Sequence, residues 1–216
     1  MIVVARVENG FSDKFGIPRQ SGRVETISKI VFEKEFKSKD AIRKIEGFSH
    51  LWLIFGFSKA EGKYSLTVRP PRLGGNEKVG VFASRSPFRP NNIGLSSVKL
   101  LKVEEDGSLL VSGADILSGT PIYDIKPYLP FTDCHEDATS GYAGEFKDYK
   151  LKVLGENLLD VADERTKRDI IACLMEDPRP SYQEDSERVY AMDYNGVKVK
   201  FKVERETLVI VEASKN

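Results

Sequence analysis

A chain of 216 residues is long enough for a full hydrophobic core, either in one large domain or in a large one with a small companion. Apolar residues make up 40% and charged residues 31%, and 33 basic against 33 acidic side chains leave no net charge, as expected of a soluble globular protein. No apolar run approaches the roughly 18 residues of a membrane span, MIVVARVENGF at the start lacks the order of a signal peptide, and Cys134 and Cys173 are too few for a disulfide framework, which points to a reducing cytoplasm.

In chain order, Ile2 to Val7 reads as a strand, and Gly10 to Gly22 is too rich in Gly and Pro to be a regular element. Ser28 to Phe32 predicts a second strand. Ser38 is then expected to cap a short helix in which Ala41, Ile42 and Ile45 share a face and Gly47 is the stop. Phe48 to Phe57, FSHLWLIFGF, is almost continuously apolar and predicts a buried central strand, with Trp52 in the core and His50 at the strand start.

Residues 69 to 96 carry most of the chain's local charge: Arg69, Arg72, Lys78, Arg85 and Arg89 stand against Glu77 alone. Within them Val79, Val81 and Ala83 alternate with Gly80, Phe82 and Ser84, predicting a short strand that ends at Arg85. Four prolines and the Gly74-Gly75-Asn76 turn stiffen the flanks, so a rigid arginine-lined frame is expected. Arginine's planar fork suits phosphates, carboxylates and base edges.

Ser96 to Val103 and Leu109 to Ala114 read as a strand pair turned at Asp106-Gly107. Ala114 to Phe131 holds three prolines and Gly119 yet is strongly apolar, which predicts a packed, irregular segment of the kind that lines sites. Asp115 and Asp124 lie within it; each can act as acid, base or acceptor, or simply cap a turn. Thr132 to Gly144 turns polar and small, placing a boundary between a domain over 1–135 and another over 145–216. The second is expected to hold a helix from Glu164 to Glu176, stopped at Pro178, and strands over Val189 to Tyr194, Val197 to Val203 and Leu208 to Glu212, with Asn195-Gly196 as a hairpin turn. Lys198, Lys200 and Lys202 share one face of the middle strand. Short strands with Gly/Pro turns and few helices predict a mainly β fold: a sandwich or barrel first, a small α+β domain after it.

No dinucleotide fingerprint, P-loop or serine-nucleophile elbow occurs, and His50 and His135 have no partner at a metal-ligand spacing. No metal site is therefore expected. From the residues alone, an enzyme, a noncatalytic RNA-binding module using the arginines as a phosphate cradle, and a small-anion carrier all remain open.

The blocks GIPRQSG, FSHLWLIF, VRPPRLGGN, GVFASRSPFRPNNIG and GTPIYDIKPYLPF, in register over residues 16 to 131, resemble the TsaA/TrmO-type tRNA methyltransferases, and DPRPSY at 177 to 182 resembles that family's C-terminal extension. The resemblance implies a β-barrel methyltransferase, not of the Rossmann class, working as a homodimer with S-adenosylmethionine bound near the interface. It implies methylation of N6 of threonylcarbamoyladenosine next to the anticodon of tRNA. Carried over by position, cofactor contacts fall on Pro18, Arg19, Gln20, His50, Leu51, Arg85, Leu95 and the turn Ser118, Gly119, Thr120 and Pro121. Substrate tRNA would meet Arg69, Arg72, Arg89, Lys198, Lys200 and Lys202, and the proton acceptor is sought among His50, Tyr123 and Asp124. Ser118 stands where the family commonly has aspartate, and Asn92 where proline is frequent, which is expected to relax that loop.

Overall fold

A computed structural model of the chain describes residues 1–60, 62, 64–70, 73, 77–179 and 185–216. In chain order its elements are β1 (Ala5–Asn9), β2 (Ile27–Phe32), β3 (His50–Gly56), the short pair β4 (Thr67–Val68) and β5 (Val79–Gly80), β6 (Ile93–Val103), β7 (Leu109–Ser112), β8 (Pro121–Pro127), α1 (Pro130–Asp133), β9 (Lys152–Leu154), α2 (Glu164–Met175), β10 (Tyr190–Tyr194), β11 (Val197–Glu204) and β12 (Thr207–Lys215). The fold is mainly β, as expected, and it resolves the choice between sandwich and barrel. Strands β1, β2, β7, β6, β3 and β8 close on themselves in that order, with β8 returning to β1 through Ala5↔Ile122 and Arg6↔Pro121.

Side-chain alternation fills this barrel. Leu51, Leu53 and Phe55 of β3 point inward, where they meet Val7, Ile30, Val98, Val111 and Ile122. His50, Trp52 and Ile54 point outward and stay half-buried. β3 is central, pairing with β6 on one side and β8 on the other. The turn predicted at Asp106-Gly107 joins β6 to β7: Asp106 Oδ1 accepts from the Ser108 amide at 3.0 Å, and Gly107 takes φ +81°.

Three local expectations are corrected. The helix after Ser38 is a run of turns ending in a 3-10 turn at Ile45–Gly47, because Lys44 adopts a left-handed φ of 68° and two half-buried isoleucines on a highly charged segment give too little burial to hold a helix. The strand over residues 79 to 84 stops at Gly80. Val81–Ala83 forms a 3-10 turn instead, closed by the Ser84 hydroxyl donating to the Val81 carbonyl at 2.9 Å. The supposedly irregular segment contains a barrel strand, β8, which keeps Pro121 and Pro127 at its two ends, where ladder donors are least needed.

The second core lies among β9 to β12 and α2, a sheet of order β10, β11, β12, β9 in which β9 runs parallel to β12. Asp163 caps α2 by accepting from the amides of Arg165 and Thr166. Asn195 and Gly196, at φ 51° and 75°, make the hairpin turn expected of them. This core also draws Phe11 and Val24 from the loop after β1, and Phe11 is fully buried against the Tyr194 ring at 4.8 Å. The Asn195 amide donates to the Gly10 carbonyl at 2.8 Å, and Arg23 pairs with Glu176 at 2.9 Å. The loop from Gly10 to Gly22 is thus held from both sides.

Candidate active site

A cavity of about 680 Å³ is walled by barrel strands and the loops beside them, a volume in the range of small-molecule sites. Its walls come from the loop of Pro18, Arg19 and Gln20, from Trp52 and Phe55 of β3, from Arg85 to Arg89, from Leu95 and Ser96 of β6, and from Asp115 and Thr120. Residues far apart in sequence meet directly here. Arg85 Nη1 donates to Gln20 Oε1 at 2.6 Å, tying the two loops together. Arg19 Nη2 donates to the Arg179 carbonyl at 2.6 Å, and the Arg179 guanidinium is held on Asp177 at 2.9 Å, so the turn after α2 braces the cavity wall.

Of the positions the resemblance assigns to the cofactor, Pro18, Arg19, Gln20, Arg85, Leu95 and Thr120 line this cavity. Others lie apart from its lining. Leu51 is fully buried in the barrel because the strand period turns it inward. His50 faces out beyond the cavity, with Nδ1 3.0 Å from Ser49 Oγ and its ring edge toward Tyr128. Ser118 accepts from the Asn9 amide at 3.3 Å, the Gly119 carbonyl accepts from Arg6, and Pro121 begins β8. Nor do Tyr123 and Asp124 border it: the Tyr123 ring covers Gly56, while Asp124 accepts from the Ile125 amide and pairs with Lys126 at 2.9 Å.

The described part of the arginine stretch carries internal hydrogen bonds, although not in the way the alternation predicted. Arg89 turns inward, donating to the carbonyls of Val81 at 3.0 Å and Ser84 at 2.7 Å, with Phe82 stacked over its guanidinium at 5.8 Å. Asn92, expected to relax the loop, pins it instead by donating to the Pro87 carbonyl at 2.7 Å. Trp52 is a cavity wall rather than a core residue, and its Nε1 donates to Asp133 Oδ2 at 2.8 Å. Arg69 is exposed; Arg72, Gly74, Gly75, Asn76 and the last three residues of DPRPSY lie outside the described residues. Lys200 and Lys202 are paired with Glu212 and Glu187, leaving Lys198 the most exposed of the three.

Sequence reasoning left Asp115 undecided, and the structure gives it a place. Among the described residues that line the cavity it is the one acid, in a lining that also holds Lys14, Arg19, Lys59, Arg85 and Arg89. Ser96 Oγ donates to Asp115 Oδ1 at 2.5 Å. Burial pushes its carboxyl above the ordinary carboxylate value, against the pull of the Ser96 hydroxyl, its own amide, Arg85 and the Ser21 amide. The signal available beforehand was its position between Ala114 and Ile116, both of which are buried.

A closed antiparallel barrel with a cation-rich, aromatic-walled cavity defines a small-molecule-binding protein outside the dinucleotide-binding class. Its first part, residues 6–134, matches the tRNA-methyltransferase O N-terminal domain, and residues 156–216 match the TrmO C-terminal domain. The chain belongs to the tRNA-methyltransferase O family. It is 37% identical over 211 residues to a tRNA (adenine(37)-N6)-methyltransferase of Escherichia coli strain K12, covering 91% of this chain and 90% of that protein. It is also 40% identical over 195 residues to a putative S-adenosylmethionine-dependent methyltransferase, RcsF, of Pseudomonas aeruginosa, covering 83% and 81% of the two chains. The crystal structure of TrmO from Pseudomonas aeruginosa superposes with a TM-score of 0.77 at 28% identity, over 99% of this chain and 98% of that one.

Proposed function

We propose that this chain is an S-adenosylmethionine-dependent methyltransferase acting on N6 of adenosine 37 in tRNA, with threonylcarbamoyladenosine as the form of the base it accepts. The observation that carries the reading is the convergence of Pro18, Arg19, Gln20, Arg85, Leu95 and Thr120 on one cavity. The chemistry of its walls suits the donor. Trp52, Phe55 and Phe88 offer apolar faces to an adenine, and Arg19 and Arg85 offer forks to a carboxylate. Bound S-adenosylmethionine supplies a methyl group activated by its sulfonium. The chain's own share is to orient the acceptor nitrogen and to keep water away, through a frame locked by Arg89, Asn92 and the Gln20–Arg85 bond.

Transfer RNA is held, in this reading, by Arg69 and Lys198 more than by Arg89, whose Nη1 is engaged inside its own loop. The free Cys134 and Cys173 fit a reducing cytoplasm. Titration calorimetry with S-adenosylmethionine, followed by mass spectrometry of nucleosides from tRNA incubated with protein and donor, tests the proposal. Cofactor binding and one added methyl mass on threonylcarbamoyladenosine are expected. Salt-dependent tRNA binding with neither of these overturns it in favour of the RNA-binding module.

A further inference from the structure

The acceptor nitrogen in the proposed reaction carries a carbonyl substituent that withdraws its lone pair, so it must shed its proton as the new bond forms. None of His50, Tyr123 and Asp124 lines the cavity, and each is engaged elsewhere: beside Ser49, against Gly56, and on the Ile125 amide and Lys126. Asp115 is the carboxylate the cavity wall presents among its described residues, and it is fixed in place by Ser96.

We propose that Asp115 is the proton acceptor of the methyl transfer, a role that rests on the methyltransferase reading above. The nitrogen's lone pair forms the bond to the methyl carbon while the carbon–sulfur bond breaks and leaves its electron pair on sulfur. The nitrogen's proton passes to a carboxylate oxygen of Asp115, which becomes a neutral acid, so one positive and one negative charge disappear together. When product departs, the proton is lost to water. The groups facing the carboxylate are the Ser96 hydroxyl, its own amide, Arg85 and the Ser21 amide. Together they steady the ionised form, while burial makes that form basic enough to take a proton. Activity requires the ionised carboxylate, so the rate climbs as pH rises through its pKa and then levels off.

The full chain as Asp115→Asn keeps the shape and the Ser96 contact but cannot accept the proton. Single-turnover transfer to tRNA is expected to slow by about 10²- to 10⁴-fold and to lose the acid limb of its pH profile. Calorimetry with S-adenosylmethionine and filter binding of tRNA are expected to stay within about threefold of the unsubstituted protein. A second variant, Ser96→Ala, removes one donor to the carboxylate and is expected to move the acid limb to higher pH, a shift that a purely structural contact would not produce. Near-normal transfer by Asp115→Asn overturns the proposal, and so does loss of cofactor binding, which would make Asp115 a ligand-holding group. Should Asp115→Asn fail to fold, an unmoved limb in Ser96→Ala overturns it equally. A wild-type protein that binds tRNA yet never transfers methyl sinks the methyltransferase reading itself.

Discussion

The two cysteines show how far one residue's surroundings change its chemistry. Cys134 is exposed, whereas Cys173 is packed in the second core with its thiol pushed up to about 12, by burial first and then by Asp169 and Glu176. A thiol-reactive dye is therefore expected to label Cys134 alone in the native protein and both cysteines after unfolding; fast labelling of Cys173 under native conditions would contradict the packing described for α2. Asp115 is the opposite case, a titratable group whose burial leaves it facing a cavity. No local pattern separates these two environments, since each residue sits between apolar neighbours in sequence.

Among elements, the pairing of β3 with β6 contains a contact that only glycine permits. Gly94 lies opposite Phe55 in the register, and a methyl group there would run into the Phe55 ring, which fills the barrel and borders the cavity. Gly94→Ala is expected to cost about 1–3 kcal/mol of stability, read from denaturant midpoints, because a packed aromatic has little room to move. Weakened S-adenosylmethionine binding should accompany it. An unchanged midpoint would mean the barrel interior is looser than described. The same strand pair shows what periodicity reveals and conceals. FSHLWLIFGF announced a buried strand, and β3 is one. Which residues face the core follows from the barrel's closure, and that sends Leu51 inward and Trp52 to the cavity wall.

At the scale of the whole molecule, some of the exposed apolar side chains belong to the cavity lining, namely Phe88, Ile93 and Leu95, and the segment of Tyr64 and Leu66 is hydrogen-bonded to that of Val81 and Phe88. Phe82 is 78% and Leu95 56% exposed, with Tyr64, Leu66, Phe88 and Ile93 also open to solvent. A homodimer formed over this rim would cover them, and an interface of ordinary size buries about 800 Å² on each partner. Sedimentation equilibrium is expected to give twice the chain mass, and Phe82→Glu to give the single mass. A monomeric wild-type protein would assign the rim to another partner.

By itself the amino-acid sequence determined the strand-rich composition, the Asp106-Gly107 and Asn195-Gly196 turns, the helix from Glu164, and the concentration of arginine between Arg69 and Arg89. The strands, turns and helix are local consequences of backbone preference and side-chain period, and the two turns and the helix appear where expected. Motif order also fixed the family. Tertiary structure alone decided that Arg89 turns its Nη1 onto its own loop, that Phe11 belongs to the second core, and that Asp115 rather than His50, Tyr123 or Asp124 stands on the cavity wall. The physical reason is that each of these depends on neighbours supplied by distant segments. Burial and charge are set by what closes around a residue, and the chain does not carry that information next to it.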